Sequence, residues 1–243
     1  MKSSRSIVAA IFAVLVIAGC EQQGGGSATA TLSTSADSLS YALGYLYGNS
    51  LHEQGYDALN NNDYEAGFYE GLRGDDAPFS DQEMITMINT KREELRLATL
   101  SKIKAEGEAY LAENRTKEGV VETESGLQYR VIKEGTGKSP AATDVVSVHY
   151  EGQLLDGTYF DTSREDIAKA NEAIYNPQRP YGPAEFRLDG VIRGWTEGVQ
   201  LMKEGAVYEF CIPSELAYGE RGAGNLIKPG ATLLFKVELL EVK

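Results

Sequence analysis

Between Asp37 and Gly119 apolar residues recur every three or four positions, and after Gly119 they alternate with polar ones. The first period belongs to helices with one covered face, the second to strands half covered by a core. Leu39, Ala42, Leu43, Leu46, Tyr47 and Leu51 share one helical face, with Asp37 or Ser38 as N-cap and Gly55 as a stop. A shorter helix is predicted from about Asp63 through Phe68 to Leu72, ended by Gly74. Pro78-Phe79-Ser80 opens a third, in which Ser80 and Glu83 have capping-box spacing. If it continues to Lys117 it is about 57 Å long, and two short helices cannot cover it. Its apolar stripe is then partly exposed or covered by another chain. Gly107 lowers local helix propensity by about 1 kcal/mol and marks a place for a bend. The Gly44/Gly48 pair lets a second helix approach closely. Length, stripe and short partners together favour an intertwined homodimer.

Beyond Gly119, Val146, Val148 and Tyr150 alternate with Ser147, His149 and Glu151, and Asp156-Gly157 marks a hairpin turn. Further strands are predicted at about Gln128–Lys133, Ala206–Ile212 and Thr232–Val242, with a single helix at Trp195–Met202. Such a set implies an α+β unit, an antiparallel half-barrel wrapped on a short helix. It follows an all-α arm with one long helix. His149 falls on the outward side of its strand, and Cys211 reads as a small buried hydrophobe.

Charge narrows the function classes. Lys+Arg 23 against Asp+Glu 36 leaves net −13, without the basic tract that nucleic-acid phosphates require. Anionic head groups would also repel the chain. Two cysteines and two histidines exclude a multi-ligand zinc cage and a disulfide framework. At the start, Lys2 and Arg5 precede an apolar run from Ile7 to Ile17 that rises only about 16 Å as a helix, against a hydrocarbon core of roughly 30 Å. It reads as a secretory signal. The run ends Ile17-Ala18-Gly19-Cys20, which resembles a bacterial lipobox. That resemblance implies a signal peptide over 1–19 and lipidation at Cys20, so the membrane is a partner through a lipid anchor only. Glu21 after the cysteine implies passage to the outer membrane, facing the periplasm. The mature chain would carry about −15. Residues 20–36 read as a flexible Gly/Ser/Thr tether.

Five segments occur in order: Val148-His149-Tyr150-Glu151-Gly152, Asp156-Gly157-Thr158-Tyr159-Phe160-Asp161, Val191-Ile192-Arg193-Gly194-Trp195, Ala217-Tyr218-Gly219, and Ala231 through Leu240. Together they closely resemble the FKBP-type peptidyl-prolyl isomerases over 119–243. Residues 37–118 look like the dimerisation arm of the macrophage infectivity potentiator subgroup. The resemblance implies an enzyme that isomerises X-Pro bonds of unfolded or nascent exported proteins, with no cofactor or metal. Tyr150, Phe160, Val191, Ile192, Trp195, Ile227 and Phe235 would wall the proline pocket. Asp161 would face the twisting amide, and the Tyr218 hydroxyl would donate to the substrate carbonyl. A carboxylate beside Phe160 and Tyr159 is costly without a purpose or a partner. A dimeric holdase chaperone, with catalysis secondary, is the alternative function.

Some positions depart from the family pattern. Gly190 stands where a carboxylate is common, Ala223 and Gly224 occupy a loop with larger groups in macrolide-binding members, and Ala184 falls near a usually aromatic position. Isomerase chemistry survives these changes, while macrolide binding is left open. Residues 165–183 form an insertion after the Asp161 strand. Ile167, Ala170 and Ile174 predict a short amphipathic helix there, as a passive surface loop or as a flap beside the pocket mouth.

Overall fold

The computed structural model describes residues 30–243, so the expected signal peptide over 1–19, Cys20 and most of the expected tether lie outside the described residues. The chain divides into two compact units, one up to Leu59 and one spanning Asn60–Lys243. This division falls inside the helical segment rather than at its end.

In the first unit, α1 spans Ser35–Glu53, and its N-cap is Thr34, not Asp37 or Ser38. Asp37 serves instead as the third helical residue of a capping box. The Thr34 hydroxyl accepts from the Asp37 amide at 3.1 Å, and the Asp37 carboxylate accepts from the Thr34 amide at 2.9 Å. Beyond the last turn Gly55 takes φ +82°. No residue of α1 is buried.

The second unit begins with α2 (Asn61–Arg73), stopped by left-handed Gly74. Helix α3 runs unbroken over Asp81–Asn114, opened by the expected Ser80–Glu83 capping box. It is about 51 Å long, ends three residues before Lys117, and continues through Gly107 without interruption. Leu100, Gly107 and Asn114, seven residues apart, are buried. The C-terminal half of its stripe is thus covered by its own chain, which narrows the expectation of a partner chain to the N-terminal half. There Ile85, Met87 and Ile88 are about half exposed.

Seven antiparallel strands follow: β1 (Val120–Glu122), β2 (Gln128–Lys133), β3 (Val145–Gln153), β4 (Tyr159–Thr162), β5 (Ala184–Arg187), β6 (Val207–Ile212) and β7 (Leu233–Val242). Their order is β1-β2-β6-β7-β3-β4, with β5 also paired to β3. Helix α4 (Glu165–Lys169) lies in the insertion and α5 (Arg193–Gln200) against the sheet. Two glycines allow the close approach of α5: a Cβ at Gly194 would sit 2.4 Å from Ile212, and one at Gly198 2.6 Å from the Phe210 ring. The core closes around Leu127, Val146, Val148, Val199, Phe210 and Val237, all essentially without exposure.

Two expectations need correction here. Helix α4 stops after five residues because the Asn171 side chain donates to the Ile167 carbonyl at 2.7 Å, competing with a further helical turn. Cys211 is half-buried rather than enclosed, and its Sγ accepts from Asn114 Nδ2 of α3 at 3.3 Å. Burial pushes its thiol up to about 11.

Candidate active site

The sheet curls round α5 and leaves one concave cavity of about 570 Å³ on that side. Tyr150 enters it from β3, Phe160 and Asp161 from β4, and Phe235 from β7. Val191 and Ile192 lead into α5, whose first turn brings Trp195. Tyr218 and Ile227 come from the loop between β6 and β7. All nine residues singled out in this part of the chain therefore meet at one place. Long strand registers do this: Tyr150 pairs with Val237 while Gly152 pairs with both Asp161 and Phe235, which sets the four side chains on one surface.

The aromatic walls interlock edge to face. Trp195 lies 5.3 Å from Phe235 and 5.4 Å from Tyr150, ring centre to ring centre, and Phe160 lies 5.4 Å from Phe235. Interplanar angles are 82–84° in all three pairs. Such pairs hold each other's orientation, so the walls resist collapse into the empty space. Trp195 is 4% exposed, and its buried indole N–H has no hydrogen-bond partner.

Asp161 is not a solitary carboxylate. One oxygen accepts from Arg179 Nη1 at 2.5 Å and from the Thr162 amide at 2.8 Å; the other accepts from the Tyr150 hydroxyl at 2.6 Å. Arg179 Nη2 also donates to the Tyr150 hydroxyl at 3.1 Å. Charge-assisted bonds of this kind fix a group's position as well as its ionisation. Burial, and then the hydrogen bond to Asp161, raise the Tyr150 phenol well above its ordinary value. Burial, reinforced by the Asp161 charge, also raises Tyr218. Both phenols stay protonated at neutral pH and remain donors.

Two lining or supporting residues went unseen in the sequence. Arg179 comes from the insertion, eighteen residues beyond its partner, and no local spacing announces that pair. The Asn176-Pro177 and Arg179-Pro180 steps of the sequence favour an irregular return there, but they name no partner for the guanidinium. The insertion therefore reaches the site, as a flap reading requires. Phe186 of β5 lines the cavity and stands 5.6 Å from Trp195, so an aromatic group is present although Ala184 is not one. Gly190, Ala223 and Gly224 also border the space.

A half-barrel on one helix, holding an aromatic cavity with a fixed carboxylate and a phenol at its edge, defines a protein that receives a compact apolar ring. Comparison with known proteins makes this specific. Residues 136–240 match the FKBP-type peptidyl-prolyl cis-trans isomerase family, and residues 36–131 match the domain amino terminal to FKBP-type peptidyl-prolyl isomerase. The chain is 42% identical over 217 residues to the FKBP-type 22 kDa peptidyl-prolyl cis-trans isomerase of Escherichia coli (strain K12), covering 88% of this chain and 98% of that one. It is 37% identical over 220 residues to the outer membrane protein MIP of Legionella longbeachae, covering 88% of each. The crystal structure of FkpA from Escherichia coli superposes with a TM-score of 0.63 at 33% identity, over 88% of this chain and 99% of that one. The chain belongs to the FKBP-type peptidyl-prolyl cis-trans isomerase family. It is an isomerase of prolyl bonds in protein substrates.

Proposed function

We propose that this protein isomerises X-Pro bonds of exported proteins by seating the proline ring in the aromatic cavity, with Asp161 and Tyr218 acting on the twisting amide. The observation that carries the proposal is the fixed Asp161 carboxylate at the edge of walls otherwise made of Tyr150, Phe160, Val191, Ile192, Trp195, Ile227 and Phe235. Rotation about an X-Pro bond crosses a barrier of ~18–20 kcal/mol, and at the top the amide has lost resonance and charge separation. An apolar cavity therefore penalises the planar ground state more than the twisted one. Asp161 is anchored by Arg179 and Tyr150, so it acts as a fixed charge and not as a mobile base. Tyr218, protonated and 40% exposed, would donate to a substrate carbonyl.

The test is isomerisation of an Ala-Xaa-Pro-Phe peptide series by the full chain. Tyr218→Phe and Asp161→Asn should both lower kcat/KM, and a thousandfold loss would correspond to about 4 kcal/mol of transition-state stabilisation. Thermal unfolding should hold for Tyr218→Phe and fall modestly for Asp161→Asn, which weakens the bonds to Arg179 and Tyr150. Full activity in both variants would remove the two residues from the mechanism.

The same reading makes residues 37–118 a dimerisation arm, 119–243 the isomerase domain, and Cys20 a lipid anchor that follows a signal over 1–19. The exposed apolar face of α1 and the N-terminal half of α3 support self-association. The outer-membrane name of the Legionella longbeachae relative supports a bacterial cell-envelope location. Two linked sites would raise the effective concentration for one unfolded client, which gives the dimer a secondary holding role. Light scattering that shows a full-length monomer at micromolar concentration would end the dimer model. Unchanged membrane fractionation of Cys20→Ser would end the anchor.

A further inference from the structure

The loop between β6 and β7 carries Tyr218, Ala223, Gly224 and Ile227 to the cavity. Two single-turn 3-10 segments, Ser214–Leu216 and Gly219–Arg221, flank Tyr218. The loop closes on itself where the Gly230 amide donates to the Gly219 carbonyl at 2.9 Å, and Ala223 and Ile227 pair across it. Its far side meets α3. Lys104 Nζ lies 3.2 Å from Glu220 and 3.7 Å from Glu215, one glutamate on each side of Tyr218. Leu100, 7% exposed, packs so closely that a Cβ at Gly230 would be 2.8 Å from its Cδ1. Two turns beyond Leu100, a Cβ at Gly107 would be 2.4 Å from the Thr232 hydroxyl. Gly107 is thus a point of close contact, where a side chain would collide with Thr232.

We propose that the Leu100–Gly107 face of α3 is a positioning element of the isomerase site, holding the 213–232 loop from behind so that the cavity's affinity for a proline peptide depends on a helix that contributes no atom to it. This rests on the reading of the cavity as the proline site. A loop held in its binding arrangement before the ligand arrives loses little freedom on binding, and that saving appears as affinity. The ion pairs alone are too exposed to do this, because screened surface pairs contribute little. Leu100 against Gly230 is a buried contact that closes the loop at its neck, and Lys104 adds direction on both sides of Tyr218. The geometry gives α3 two tasks, connecting the isomerase site to the helical segment and presetting the site's outer wall.

The experiment uses the full chain and Trp195, the sole tryptophan, whose fluorescence reports on the cavity. An N-blocked Ala-Leu-Pro-Phe peptide is titrated against wild type, the double variant Leu100→Ala/Lys104→Met, and the conservative pair Leu100→Met/Lys104→Arg. The first variant should bind about three- to tenfold more weakly and raise KM to match, with kcat within about twofold. The conservative pair should return to within about twofold of wild type. A lowered Tm with unchanged peptide affinity would show a purely structural role and overturn the proposal. Should the double variant not fold, Lys104→Glu suffices: it should speed hydrogen exchange at the Gly230 amide and weaken binding about twofold, and unchanged values of both overturn the proposal. Tyr218→Phe separates the two readings. Wild-type turnover in that variant counts against the site itself, whereas reduced turnover beside unaltered binding in the α3 variants counts against α3 alone.

Discussion

Strand β7 and helix α1 have similar apolar endowments and opposite fates. In β7, Leu233, Phe235, Val237 and Leu239 are at most 7% exposed, because β3 and β6 flank the strand and α5 covers the inner face. In α1, Leu39, Leu43 and Leu46 remain 52–65% exposed although they line up on one face. Burying each such side chain is worth about 1.5–3 kcal/mol. The half-barrel collects that energy within one chain, so its cavity is complete in a single copy. The helix leaves it uncollected, so α1 is built for a surface its own unit does not supply.

The widest separation should come from the core. Phe210→Ala, which removes a ring 1% exposed and seated against Gly198, should cost about 3–5 kcal/mol in denaturant melts of the full chain. A loss below about 1 kcal/mol would contradict the picture of a close-packed sheet–helix core.

The next effect lies where α3 joins the β part. The Cys211 thiol holds its proton more tightly when folded, about 11 against an ordinary 9.0, mainly through burial. Its contribution to stability is therefore full below pH 9 and lost as pH rises through about 11. The stability difference between wild type and Cys211→Ala should shift by about 2 kcal/mol against wild type between pH 8 and 11. Parallel pH profiles would place the thiol in solvent when folded.

A smaller effect tests whether the cavity needs the insertion. Arg179→Met should lower kcat/KM about tenfold, near 1.4 kcal/mol, with little change in Tm, since it frees Asp161 and Tyr150 to move. Wild-type turnover would make the insertion passive. Smallest of all, Leu46→Ala in α1 should leave the unfolding transition of the β part within about 0.5 kcal/mol and act only on self-association, read by light scattering. A large shift in that transition would break the contrast between a closed and an open region.

Local order was written in the sequence: the switch of period at Gly119, the Ser80–Glu83 box, the Gly74 stop and the Asp156-Gly157 turn all appear where expected. These features depend on hydrogen bonds and side chains a few residues apart, so a short window carries them. Even locally one reading missed: Asp37 looked like a cap and is the partner of one, because Asp is a favoured N-cap residue and its carboxylate can equally reach back from the third helical position to the Thr34 amide. The residues that converge on the cavity, Ile227 apart, were legible because five segments keep their order and identity. The Arg179–Asp161–Tyr150 network, the place of Phe186, the contact at Gly107 and the burial of Leu100, Gly107 and Asn114 of α3 were not. Each depends on where a distant segment lands once the sheet has curled, and chain spacing does not encode that distance. The sequence alone determined which faces must be covered and which residues could serve the site; the tertiary structure decided what covers them and what holds the carboxylate in place, because those contacts exist only after long-range packing has brought their partners together.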